Sequence, residues 1–228
     1  NMLTLTHIYW LTGIYLAYIT WQSLQDKSNT RRIGTASFWG LLAIAFLFGN
    51  IIPSIIMGIL VIAIASLAAS GAIARGNYSE VSAEQRQKNA VKFGHKLFIP
   101  ALMIPLVTLF AALFLKNIRI GDFMLLSADH TTVISLGLAC LIAFLFALKL
   151  TGERLPLAIQ SSRGILDAIG WAALLPLLLA MLGAIFNKAG IGNLVADLLT
   201  QTLPLHYLWV SIVAYGLGMV LFTMIMGN

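Results

Sequence analysis

A helix-length apolar run from Trp171 stops at Ala189-Gly190-Ile191-Gly192-Asn193, and Asp197 follows one turn later. Residues of these types at this spacing suit the holding of a small anion. In lipid, irregular backbone persists only where protein buries it or where it lines a wet cavity, and the amides that open a helix attract negative charge. Gly190 and Gly192 would bare that backbone and Asn193 would add a side-chain amide, so all three are candidate substrate-binding positions. Asp197 is the candidate for coupling a cation or proton, because acids at membrane depth tend to be functional. Asn50, beside Gly49, and the final pair Gly227-Asn228 repeat the motif of an amide next to a glycine at the end of an apolar helix. They join the substrate-binding set. A plainer geometry uses the same residues: a glycine C-cap and an asparagine N-cap joining two ordinary helices. For Asp197 the plain counterpart is a solvated carboxylate on the polar face of a surface helix. Both alternatives are open at this point.

Other chemistry finds no support. The sequence has no His and Glu pair at zinc spacing, no glycine-flanked nucleophilic serine and no phosphate-cradling loop ending in Lys-Ser or Lys-Thr. His7, His95, His130 and His206 all fall near expected helix ends, where imidazoles cap or face solvent. The single cysteine, Cys140, excludes a disulfide framework and reads as helix packing. The chain is therefore expected not to be an enzyme and to need no metal or cofactor.

The elements that position these residues are apolar. The 228 residues are 60% hydrophobic and 10% charged, far below the roughly 25% charge of a soluble domain. Stretches 1–25, 33–74, 97–115, 130–148, 168–187 and 198–228 contain no Asp, Glu, Lys or Arg, and each approaches or exceeds the roughly 18 residues of a spanning helix. The fold class is an all-α integral membrane protein, a single transmembrane domain over 1–228. About seven apolar helical segments are expected, at 3–24, 36–51, 54–74, 97–115, 130–148, 169–187 and 205–226. Residues 157–167 and 193–203 read as amphipathic, and Arg163 and Asp167, four apart, can pair on one face. A short surface helix is expected after Ser82. Whether the sixth segment crosses, or breaks and re-enters near 187–193, is open.

The net charge of +6 is spread over short loops, which excludes a nucleic-acid groove and reports topology instead. Loops 25–34, 75–96 and 149–167 carry 3, 5 and 3 Lys or Arg, and the alternate loops carry 0 and 2. The basic loops are expected on the cytoplasmic side, with the N-terminus outside. Asn1 precedes Met2, and Gly227-Asn228 follows an apolar run directly, so a fragment of a longer chain is expected.

The stretches Leu3 to Gly13, Gly34 to Asn50 with Phe38-Trp39-Gly40, Leu97 through Pro100 and Pro105 to Thr108, and Ile169-Gly170-Trp171 through Pro176 to Gly192 resemble one subunit of bacterial two-subunit 5-oxoproline (pyroglutamate) transporters. That family, formerly catalogued as a domain of unknown function, is grouped with the ion-transporter superfamily. The resemblance implies a multi-pass inner-membrane subunit of a secondary transporter, paired with a second membrane subunit. It implies a small carboxylate substrate, Na⁺ or H⁺ coupling, and a broken helix at Gly190, Gly192 and Asn193. The alternative is a non-transporting scaffold or regulatory subunit of a partner permease.

Overall fold

The computed structural model describes residues 3–76, 83–115, 118–120, 123–124, 127, 130–204 and 207–226. The described chain is helical: α1 Leu5–Gln25, α2 Arg32–Phe48, α3 Ser54–Ala69, α4 Ala83–Phe93, α5 Phe98–Phe114, α6 Thr131–Thr151, α7 Leu155–Ile169, α8 Leu175–Lys188, α9 Ile191–Thr202 and α10 Leu208–Met226. One small antiparallel pair, β1 Arg119–Ile120 and β2 Phe123–Met124, lies between α5 and α6. The chain divides into two units, Asn1–Ala172 and Ala173–Asn228.

Local chemistry explains where the helices differ from the expected bounds. The Asn29 side chain accepts the Arg31 amide at 2.8 Å, which lets α2 start at Arg32 rather than 36. Gly71, at φ +66, stops α3 short of 74. Gly170, at φ +52, ends α7 and opens a 3-10 stretch to Leu174 before α8 begins. The expected 169–187 segment therefore starts later, and the amphipathic helix before it is longer, than the apolar pattern suggests.

Seven spans are not supported. Among the described residues two helical runs, Gln87–Phe114 and Thr131–Thr151, are long and apolar enough to cross a membrane; α7 and α8 qualify only when taken together as one broken span. For α1, α2 and α3 the shortfall is one of length or polarity. With 17 and 16 residues, α2 and α3 reach about 26 and 24 Å, against a hydrocarbon core of about 30 Å. α1 has 21 residues, but its Thr, Tyr, Trp and Gln side chains dilute its hydropathy.

Within the first unit α1 and α2 run as a hairpin, α3 packs on α2, and α5 pairs with α6. Ile19 of α1, Phe38 and Trp39 of α2, Ile64 of α3 and Ile134 of α6 are fully buried. The Phe38 and Trp39 rings meet edge to face at 4.8 Å, a geometry that aromatic quadrupoles favour. At one end Asn50 donates to the Thr6 hydroxyl at 3.2 Å, and the Ser127 amide reaches the Leu3 carbonyl at 3.1 Å. At the other end the extended segment after α3 lies on the start of α2. Asn29 and Thr35 both donate to the Ala74 carbonyl, at 2.9 and 3.0 Å, and the Ala74 amide returns a bond to Thr35.

Gly34 makes that approach feasible, because a Cβ there would overlap the backbone carbonyl of Ala72. Gly34→Ala is expected to lower stability by about 1–3 kcal/mol through overpacking. Thermal unfolding of the purified variant in detergent measures this, and an unchanged midpoint would show that the segment can shift aside.

Candidate functional site

The joint between α8 and α9 has the geometry of a helix cap. Gly190 sits at φ +71, which only glycine adopts without strain. It ends one helix and starts the next: its amide bonds to the Asn187 carbonyl at 3.1 Å, and its own carbonyl accepts from Asn193 and Leu194 at 3.1 and 3.2 Å. Gly192, Asn193 and Asp197 are exposed, and Asn193 and Asp197 stand one turn apart on α9. Asn50 belongs to the first unit, at the exposed end of α2. Gly227 and Asn228 lie outside the described residues. The chain thus holds Gly190, Gly192, Asn193 and Asp197 together in the second unit.

A denser polar arrangement lies in the first unit. Arg163 of α7, 5% exposed, donates to Asp26 at 2.8 Å and to the Gln22 carbonyl at 3.4 Å. Its Nε stands 3.7 Å from Asp167, one turn along the same helix. Asp167 in turn accepts the Trp39 indole N–H at 2.9 Å and the Gly76 backbone amide. The expected Arg163 and Asp167 pairing is therefore present, but the shorter contact is to Asp26, 137 residues away. Nearby, Tyr15 and Ser162 share a hydrogen bond of 2.6 Å between α1 and α7. Gln22 Oε1 and Ser23 Oγ, on the last turn of α1, are buried and have no hydrogen-bond partner among the described residues.

The face of α7 turned away from this cluster borders a groove of about 1020 Å³. Phe144, Ala147 and Leu148 of α6 and Leu157, Ile165 and Ala168 of α7 give it apolar walls. Arg75, Asn89, Thr151, Gln160 and Ser161 add a guanidinium, two amides and two hydroxyls, and Glu153 adds a carboxylate at the rim of α6 and α7. Arg75 also lies near enough to Asp167 to act on it electrostatically. An apolar cleft with a few convergent polar groups and a cation has the makings of a small-anion site. Its guanidinium suits a carboxylate.

Among the described residues no three His, Cys, Asp or Glu side chains group as a metal site. His7 is occupied at the start of α1, where its Nδ1 accepts the Thr4 amide at 3.2 Å. Cys140, expected in packing, is exposed on α6.

A family model matches residues 6–228, essentially the whole chain, and its description is Protein of unknown function (DUF979). The chain belongs to this family. No curated protein and no solved structure matches it, so the activity of this DUF979 member has to be argued from its own side chains. The i, i+4 spacing of Arg163 and Asp167 was the visible signal of the cluster. Asp26, Trp39 and Arg75 carried no such signal, since each joins the site only through contacts across more than 90 residues.

Burial pushes the Asp26 carboxyl up, but hydrogen bonds from Ser28 and Arg163 outweigh it and leave Asp26 below the usual carboxylate value. A carboxyl that releases its proton more readily when folded adds stability above the unfolded pKa of about 3.9, and loses it as pH falls through the lower folded value. Asp26→Asn should therefore be less stable than wild type at pH 7, and the gap should close below about pH 4. Arg163→Met, which leaves two acids without their guanidinium, should cost about 3–5 kcal/mol at pH 7. Unfolding midpoints measured from pH 3 to 8 decide both, and parallel wild-type and Asp26→Asn profiles would count against the pair.

Proposed function

We propose that this chain is a multi-pass subunit of a secondary transporter in the bacterial inner membrane, moving a small carboxylate, 5-oxoproline first among them. It works with a second membrane subunit, is coupled to Na⁺ or H⁺, and has its N-terminus outside. The groove between α6 and α7 carries this reading. Its dimensions exceed those of a small monoanion, Arg75 can bind the carboxylate, and Asn89 or Gln160 can satisfy a lactam with one donor and one acceptor each. The groove lies where the basic segments gather, as Arg31 donates to the Gly71 carbonyl and Arg163 to Asp26. That arrangement fits the expectation that loops 25–34, 75–96 and 149–167 share the cytoplasmic side.

Transport also needs an element with two arrangements. α7 is suited to the part, with the groove on one face and the Arg163 ion pairs on another, so a change at one is felt at the other. The cap at Gly190, with Asn193 and Asp197, is a second place for substrate and coupling ion. The scaffold reading draws on a separate observation: α8 and α9 contain no buried residue, leaving surface for a partner permease to cover.

Uptake of labelled 5-oxoproline separates these readings, in cells lacking their own carrier and expressing the chain with and without its partner. Saturable uptake requiring both chains is expected. Arg75→Gln should reduce it by about tenfold or more, the size of a lost charged hydrogen bond, without reducing assembly of the complex. If Arg75→Gln transports normally while Asn193→Ala or Asp197→Asn does not, the site is at the α8 and α9 joint. Absence of uptake with both chains in the membrane would reject 5-oxoproline.

A further inference from the structure

The exposed face of α4 and the 3-10 turn after it carry an arrangement that the transport reading does not use. Lys88, Val91 and Lys92 lie at i, i+3 and i+4 on one side of α4, and Lys96 follows on the turn. All four are exposed, Val91 by 82%. Asn89 and Ala90, which border the groove, lie together on the far side of α4 from the middle of this face, so the lysine side faces away from the groove. No described carboxylate forms an ion pair with Lys88, Lys92 or Lys96. Lys92 instead holds its ammonium 5.1 Å from the Phe93 ring centre.

Helix length sets the level of these lysines. The charge-free stretch from Leu97 to Phe114 spans about 27 Å as a helix, close to the hydrocarbon thickness of about 30 Å. Phe98, Leu102, Leu106, Leu109 and Leu113 along it are 58–65% exposed, as lipid-facing side chains are. Lys96 then stands at the boundary, with Lys92 and Lys88 one and two turns before it in sequence. Gly94, at φ +50, opens the 3-10 stretch that joins α4 to the apolar helix. Ammonium groups interleaved with an exposed valine, at the mouth of a span, match the surface of an anionic bilayer in both charge and apolarity.

We propose that Lys88, Lys92 and Lys96 form a binding site for the phosphate headgroup of an anionic phospholipid, with Val91 and Phe98 against its upper acyl chain. The site anchors α4 at the membrane surface and thereby fixes the wall of the groove that Asn89 supplies. This depends only on the Leu97–Phe114 stretch crossing a bilayer, not on transport, and resistance of the protein to carbonate extraction tests that premise separately.

The test is native mass spectrometry of the full chain in detergent with equal phosphatidylglycerol and phosphatidylcholine. Wild type should retain phosphatidylglycerol selectively, and selectivity should weaken as ammonium acetate is raised. Each Lys→Gln change should lower headgroup affinity by roughly fivefold. The triple Lys88→Gln, Lys92→Gln, Lys96→Gln variant should lose at least tenfold, and the triple Lys→Arg variant should keep its selectivity. Equal retention of both lipids by wild type would overturn the site, as would undiminished selectivity in the triple glutamine variant. Displacement of the lipid by millimolar inorganic phosphate would also overturn it, because a free anion would then suffice.

Discussion

A guanidinium buried between two carboxylates sets the terms for the first unit. Taking Arg163, Asp26 and Asp167 out of water costs several kcal/mol per ion, and the cost is offset only if nearly every donor and acceptor finds a partner. The chain supplies those partners from separated places: Asp26 at the end of α1, the Gln22 carbonyl a turn earlier, the Trp39 indole from α2, and the Gly76 amide from beyond α3. Two acids against one guanidinium leave an excess of negative charge, which Arg75 tempers from the groove side. The α1 and α2 hairpin, the 71–76 segment and α7 are thus fixed to one another by the needs of one ion cluster.

That fixing makes α7 an element with two loads. One face contributes Arg163 and Asp167 to the cluster, and the rest contributes Ser161, Gly164, Ile165 and Ala168 to the groove. Packed interfaces tend to have discrete arrangements rather than to deform smoothly. A ligand that widened the groove would have to do so against the ion pairs behind it. The groove wall and the ion pairs therefore share one helix.

The apolar helices obey a different constraint. α2 and α3 are too short to cross hydrocarbon of ordinary thickness as straight rods, yet both contribute fully buried residues, Phe38, Trp39 and Ile64, to the first unit. Hydropathy measures what a segment would accept as solvent, lipid or protein alike. α5 shows the opposite case: Ala111 is fully buried, while Leu106, Phe110 and Leu113 remain more than half exposed.

The sequence alone determined the helical class, the family resemblance at the level of an uncharacterised group, and the turn at Gly190, because apolar runs and glycine punctuation are local properties. It also placed Arg163 and Asp167 within reach of each other, since four residues is one helical turn. Tertiary structure decided the rest. Only folding brings Asp26 to Arg163 across 137 residues and Trp39 to Asp167 across 128, and only burial turns an ordinary surface pair into a cluster whose charges must be matched. The number of spans needed structure for the same reason: a charge-free stretch marks where a helix can enter lipid, while capping by Asn29, Gly71 and Gly170 sets where the helices begin and end. The groove was invisible in the sequence because its polar residues come from α4, α6, α7 and the segment after α3. No spacing along the chain records that they meet.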